Sequence, residues 1–119
     1  MADKPTVLAY EGIAPRTYAI LAAFEAADRH TPPARDPVAM EYALIRDWIR
    51  EHAPHHGKFL EGETWRHLLG QWVSIAVKTD RVLTGTDPDA GRGRGRSQSF
   101  MLTALGRWVC RLPPHPGAV

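Results

Sequence analysis

Apolar residues recur at helical spacing in four segments of the chain, and proline or glycine residues separate these segments. The first predicted helix runs from Pro15, which suits a first helical turn, to Asp28, where the stretch HTPPARDP follows. The second has Asp36 as its N-cap and Pro37 as its first residue, and its apolar positions continue to His52. Because two apolar stripes adjoin on this second helix, we expect it to lie centrally.

The third and fourth helices are predicted in the C-terminal half of the chain. The third extends from Glu63 to Thr84, is the longest, and is expected to organise the fold; Gly85 ends it. The fourth begins at Ser97 or Ser99, either of which is a favourable N-cap, and ends before the stretch PPHP. The stretch TVLAY near the N-terminus is compatible with a short strand or a fifth short helix. The pattern predicts an all-α fold, a single-domain bundle of four or five helices.

The length of the chain, 119 residues, suits one domain, and residues 1–119 are predicted to form it. A flexible loop of glycine and arginine over residues 85–97 and a proline-rich tail over residues 113–119 complete the predicted organisation. The single cysteine, Cys110, excludes an internal disulfide and favours a reducing compartment. No secretory signal and no run of the ~20 apolar residues that a membrane span needs is present, so we expect a cytoplasmic protein without a membrane partner.

Positive charge is concentrated towards the C-terminus. Residues 1–60 carry seven lysines and arginines against eight acidic residues, whereas residues 90–119 carry five arginines and no acidic residue. Arginine outnumbers lysine twelve to three, and guanidinium binds phosphate through a planar fork. This distribution predicts an anionic partner for the basic part of the chain. A gene rich in G and C offers a second explanation, since such genes favour arginine codons.

The stretch GRGRGR contains the main candidate binding residues. Its three arginines alternate with glycines, which let the backbone approach a phosphate closely. A helix beginning at Ser97 would point its free amide groups at the same anion. The alternatives are a solvated linker, in which Asp87 and Asp89 pair with the arginines, and a segment that binds a protein. The predicted nucleic-acid-binding residues are Arg92, Arg94, Arg96, Arg107 and Arg111.

No arrangement of side chains in the sequence indicates catalysis. His52, His55 and His56 lie close together, but their spacing matches no zinc motif, so ordinary surface histidines are predicted. Cys110 lies on an apolar stripe and is predicted to be a small core residue, not a nucleophile. We therefore predict no enzyme activity, no metal and no cofactor.

Four tryptophans fall on apolar helix faces, which makes core packing the default expectation for all of them: Trp48, Trp65, Trp72 and Trp108. Trp65 is the exception, because it lies in the first turn of its predicted helix beside Arg66, where one ring edge can stay exposed. An aromatic ring beside arginine can stack on a base or anchor a protein interface.

These features predict a noncatalytic, helical nucleic-acid-binding subunit that contacts the phosphate backbone of RNA or single-stranded DNA within a larger ribonucleoprotein assembly. In size, helical content and basic patch, the chain is similar to the small helical subunits of CRISPR effector complexes. This resemblance, which is one of profile and not of a motif, implies packing along a guide RNA beside other protein subunits. The alternative is a protein-interaction module (an adaptor, an inhibitor or a phage-type assembly factor), in which the basic loop is incidental and the chain self-associates.

Overall fold

The computed structural model describes residues 12–30, 38–86 and 98–112. This part of the chain forms five α-helices, one short 3-10 helix and three short strands. In chain order the elements are α1 (Pro15–His30), β1 (Met40–Glu41), α2 (Tyr42–His52), α3 (Pro54–Gly57), the 3-10 helix Lys58–Leu60, α4 (Trp65–Lys78), β2 (Leu83–Gly85), β3 (Ser99–Leu102) and α5 (Ala104–Cys110). None of the helices in these ranges is both long and apolar enough to cross a membrane.

The prediction of an all-α fold is wrong, because segments from three places in the chain pair as an antiparallel sheet. The strand order is β1–β3–β2, with Met40 opposite Phe100 and Leu83 opposite Leu102. Along β3, Phe100 and Leu102 are buried and their neighbours are half-buried, which is the alternation of a strand with one face on the core. Strands of two to four residues are too short for this alternation to stand out against a helical pattern.

The sheet also changes the bounds of the predicted second and third helices. α2 begins at Tyr42 and not at Pro37, because Met40 and Glu41 pair with β3. α4 ends at Lys78, and the residues that were expected to continue the helix to Thr84 form a turn and β2 instead. Helical spacing alone does not distinguish these outcomes, since the same apolar residues reach the core in both.

The predicted fourth helix begins later than expected, because β3 precedes it. Its N-cap is Thr103, not Ser97 or Ser99, and Thr103 Oγ1 accepts a hydrogen bond from the Gly106 N–H at 3.0 Å. Gly85, which was expected to open the glycine–arginine loop, is the last residue of β2. The part of the loop that remains, residues 87–97, lies outside the described residues, as does the tail from residue 113.

The central element is α1, not α2 or α4, and α1, with 16 residues, is also longer than α4, with 14, which was expected to be the longest helix. It packs against α2, α4, α5 and β3, and nine of its 16 residues are buried. Several of these are alanines, whose small side chains let neighbours approach from more than one side. α2, in contrast, buries only Ile45 and Ile49 fully, so it covers one side of the core.

Candidate nucleic-acid interface

Residues 87–97, here called the arginine–glycine segment, lie in the chain between β2 and β3 of the sheet. Arg92, Arg94 and Arg96 themselves lie outside the described residues. Immediately before the segment, Gly85 lies opposite Phe100, and the Thr86 N–H donates to the Ser99 carbonyl at 3.0 Å. Residues 87–97 therefore connect two adjacent antiparallel strands, and their arginines are tethered at one end of the β2–β3 pair.

In the described part of the chain, no helix begins at Ser97, where the free amide groups of a helix N-terminus were expected to point at the same anion as the arginines. α5 begins at Ala104, at the far end of β3 from Gln98. The four residues of β3 span about 13 Å. The free amide groups of α5 therefore do not point at the anion that the arginine–glycine segment was expected to hold.

The two predicted arginines on α5 have different environments. Arg107 forms an ion pair with Asp28, with Nη1 3.3 Å from Oδ1, and the two side chains are only 13% and 19% exposed. Its guanidinium thus joins α5 to α1 and neutralises an acid. Arg111 is exposed and follows α5 as its C-cap, with φ 58° and ψ 38°. Of the two, Arg111 is the one whose charge faces solvent.

Charge is unevenly distributed over the described surface. Residues 65–86 and 98–112, here called the basic half, contain exposed cations at Arg66, Lys78, Arg81 and Arg111. The only acidic residue in the basic half is Asp80, which is buried. Residues 38–63, in contrast, expose five acidic side chains: Glu41, Asp47, Glu51, Glu61 and Glu63. Residues 38–63 therefore expose more acidic than basic side chains, whereas the exposed ionic side chains of the basic half are cations, which attract a polyanion.

Trp65 is flanked by guanidinium groups of its own chain. The Cζ of Arg46 lies 4.4 Å from the indole centroid and that of Arg66 lies 4.7 Å from it. Arg46 is held there because its Nε–H donates to the Leu60 carbonyl at 2.6 Å. These cation–π contacts join α2 to the start of α4. They place two guanidinium groups of the same chain against the ring that was expected either to stack on a base or to anchor a protein interface.

Trp108, for which core packing was expected, is the exposed tryptophan. Its side chain is 63% exposed, whereas Trp72 is buried and Trp48 and Trp65 are half-buried. The next two residues, Val109 and Cys110, are buried, as is Gly106 one turn earlier. Because Trp108, Val109 and Cys110 are all apolar, their spacing in the sequence does not show which of them faces the core.

The histidine cluster of the sequence is divided between two environments. His52 stacks on Trp48, with centroids 5.3 Å apart, and His30 from the end of α1 lies 5.4 Å from the same indole. His56 instead lies edge-on to Trp72 at 6.3 Å. In the described part of the chain, no group of three or more potential ligand side chains is placed to hold a metal ion.

The position of His56 makes stability depend on pH. Burial, assisted by the nearby charges of Arg16 and His55, lowers the pKa of His56 from its ordinary value of 6.5. Since the unfolded state then takes up a proton before the folded state does, the stabilising contribution is present above about pH 6.5 and is lost as the pH falls through the lowered pKa.

We expect the melting temperature to fall between pH 7.5 and pH 5, and to fall less in His56→Gln, which removes this titration. The measurement is thermal unfolding followed by circular dichroism across that range. His67→Gln, at an exposed position of α4, is the matched control and should follow the wild type. An identical pH dependence in His56→Gln and the wild type would contradict the assignment.

Cys110 is a core residue, as predicted. It is fully buried, and its Sγ–H donates to the Leu21 carbonyl at 3.8 Å. Burial is the main cause that raises its pKa to about 12. The thiol therefore stays protonated at neutral pH and packs as a small apolar group.

Comparison with known proteins finds no relative: no family model, no curated protein and no solved structure matches this chain. The resemblance in profile to the small helical CRISPR subunits assumed an all-α fold, and the three-stranded sheet removes that part of its basis. The charged side chains at the surface of the described residues are therefore the basis for inferring a function.

Proposed function

We propose that the chain is a noncatalytic nucleic-acid-binding subunit of a larger ribonucleoprotein assembly, and that it contacts the phosphate backbone of RNA or single-stranded DNA. The observation that carries this proposal is the charge of the basic half, where every exposed ionic side chain is a cation. The segment between β2 and β3 adds three further arginines and two aspartates, Asp87 and Asp89, to this half. Such a surface attracts a polyanion and releases its counterions on contact.

The predicted residues take two roles in this proposal. Arg92, Arg94, Arg96 and Arg111 contact phosphates directly. Arg107, which is paired with Asp28, positions α5 on α1 and so acts through its neighbours. Because contacts to phosphate carry no sequence information, we expect an affinity that is nearly independent of sequence.

The assembly would contain other protein subunits. These would contact residues 38–63, because the exposed acidic side chains there disfavour contact with a nucleic acid. A cytoplasmic location belongs to the same proposal, because the one cysteine of the chain is a buried free thiol and needs no oxidising compartment.

Replacing Arg92, Arg94 and Arg96 together with alanine is expected to weaken binding equally for all sequences. The slope of log K against log salt should fall by about two to three, since each lost phosphate contact contributes about 0.7–0.9. The measurement is fluorescence anisotropy of labelled 20-nucleotide oligo-U and mixed-sequence DNA over a range of salt. The double variant Arg50→Ala, Lys58→Ala is the control, because it removes two exposed cations that lie among the acidic side chains.

Equal affinities and salt slopes for the wild type and the triple variant would contradict the role of these arginines. The protein isolated from its own cells should also carry nucleic acid, visible as a raised ratio of absorbance at 260 and 280 nm that high salt removes. A protein that purifies free of nucleic acid and self-associates would instead support the protein-interaction module.

A further inference from the structure

Three aromatic rings form a cluster where the C-terminal ends of α1 and α2 meet. His30 is the last residue of α1, and His52 is the last residue of α2. Trp48 lies one turn before His52, and its indole centroid is 5.4 Å from the His30 imidazole and 5.3 Å from that of His52. The two imidazole centroids are 6.1 Å apart. Two histidines from different helices therefore lie side by side.

A hydrogen bond fixes which nitrogen of the His30 imidazole carries the proton. Its Nδ1 lies 2.8 Å from the Ala26 carbonyl oxygen. A carbonyl oxygen can only accept, so the Nδ1–H donates to it, and in the neutral ring Nε2 keeps its lone pair. Histidines that bind metal ions commonly donate their other ring N–H in this way, which also orients the ring. His30 therefore has the tautomer that a metal ligand at Nε2 needs.

The nitrogens that could bind a metal ion are not engaged within the fold. In the part of the chain that the structure describes, no hydrogen bond or ion pair involves His30 Nε2 or either ring nitrogen of His52. Both residues are exposed to solvent. An ion can therefore reach the two imidazoles without displacing an existing polar contact.

The separation of the two imidazoles suits a shared metal ion. A zinc–nitrogen bond of about 2.0–2.1 Å places the centroid of a bound imidazole about 3.2 Å from the metal. Two such rings lie about 5 Å apart at a tetrahedral angle and about 6.4 Å apart in a linear arrangement. The observed 6.1 Å lies within this range. Rotation of two exposed side chains can supply the shift of about 1 Å that tetrahedral binding needs.

Imidazole ligands select a particular class of metal ion. They suit Zn²⁺, Cu²⁺ and Ni²⁺, whereas Mg²⁺ and Ca²⁺ prefer oxygen ligands. Trp48 supplies no ligand, but its half-buried indole packs against the core and contacts both imidazoles. These contacts restrict the two rings before the metal ion arrives, which lowers the entropic cost of binding.

We propose that His30 and His52 form a binding site for a divalent transition-metal ion of the zinc, copper and nickel class, here called the His30–His52 site. The protein ligands are His30 Nε2 and one ring nitrogen of His52, and the remaining coordination positions are open to water. The prediction of no metal was based on His52, His55 and His56, whose spacing matches no zinc motif, whereas here the partner of His52 comes from α1. The site goes beyond the proposed function and does not depend on it.

The experiment titrates Cu²⁺ and Zn²⁺ separately into the full, untagged chain. Cu²⁺ should quench the fluorescence of Trp48, because a paramagnetic ion close to an indole quenches it, and Zn²⁺ should raise the melting temperature. His30→Ala and His52→Ala should each lose the quenching and bind Zn²⁺ at least about tenfold more weakly in calorimetry, since even groups behind a ligand contribute that much. Trp48→Phe should lose the quenching but keep most of the Zn²⁺ affinity, because phenylalanine still packs against the imidazoles.

His55→Ala and His67→Ala are the matched controls, because each removes an exposed histidine outside the site, and both should bind as the wild type does. If His55→Ala weakens binding as much as His52→Ala while His30→Ala does not, the ligands are neighbours in the sequence and the His30–His52 site is wrong. Equal Zn²⁺ affinities for the wild type, His30→Ala and His52→Ala would show that binding is nonspecific and would also overturn the site. Neither outcome bears on the proposed function, which oligonucleotide binding without metal tests separately.

Discussion

Gly106→Ala is expected to destabilise the protein by about 2–3 kcal/mol, the upper part of the usual range for over-packing. A Cβ at Gly106 would overlap the carbonyl oxygen of Val82 and lie 3.1 Å from Leu102 Cδ2. The Val82 oxygen cannot simply move away, because it accepts the Thr103 N–H at 3.0 Å and so holds the start of α5. Only glycine lets α5 lie this close to the strand segment.

The measurement for Gly106 is chemical denaturation, with a loss of about 10 °C in melting temperature as a second sign. Gly70→Ala is the matched control, since a Cβ at that helical position would meet only Tyr42 Oη at 3.7 Å, an ordinary contact. It should stabilise the protein by about 0.5–1 kcal/mol through helix propensity. If Gly106→Ala were as stable as Gly70→Ala, the close approach of α5 would be wrong.

Asp80→Ala is expected to cost about 3 kcal/mol of unfolding free energy. The carboxylate, 8% exposed, accepts the Thr17 hydroxyl at 2.6 Å and the Ala14 N–H at 3.3 Å. The first turn of α1 has no acidic residue of its own, so Asp80 supplies the negative charge that its N-terminus favours. Alanine would remove that charge and leave the buried Thr17 hydroxyl without its acceptor.

Asp80→Asn should lose less, about 1–2 kcal/mol, because the amide keeps one acceptor oxygen but not the charge. Asp47→Ala removes an exposed carboxylate from α2 and should change stability by no more than about 0.5 kcal/mol. The measurement is the unfolding free energy of the three variants from urea denaturation, which should be lowest for Asp80→Ala and highest for Asp47→Ala. Equal stabilities for Asp80→Ala and Asp47→Ala would show that the carboxylate does not hold α1.

A residue with a strong backbone preference marked the start of α1 correctly, whereas Pro37 did not mark the start of α2 and Gly85 did not mark the end of α4. α1 was predicted to within two residues, since Pro15 starts it and a proline-rich stretch follows. The strands escaped prediction because their stability comes from partners far away in sequence, as for Met40 and Phe100. Short segments whose pairing is non-local carry little periodic signal of their own.

That the basic residues bind an anion stays a prediction, and the positions of these residues in the fold could not be predicted from the sequence. The excess of arginine near the C-terminus pointed to an anionic ligand from charge alone, and Arg111 is indeed at the surface. Nothing local could show that Arg107 meets Asp28, 79 residues earlier, or that Arg46 and Arg66 cover Trp65.

By itself, the sequence determined the helical majority of this protein, its core cysteine and the concentration of cations towards the C-terminus, because periodicity, burial preference and charge are properties of local composition. Only the tertiary structure decided that α1 is central, that a sheet separates the arginine–glycine segment from α5, and that Trp108 faces solvent. All three features depend on which apolar residues pack together or pair in the sheet, and those contacts join residues that are distant in the chain.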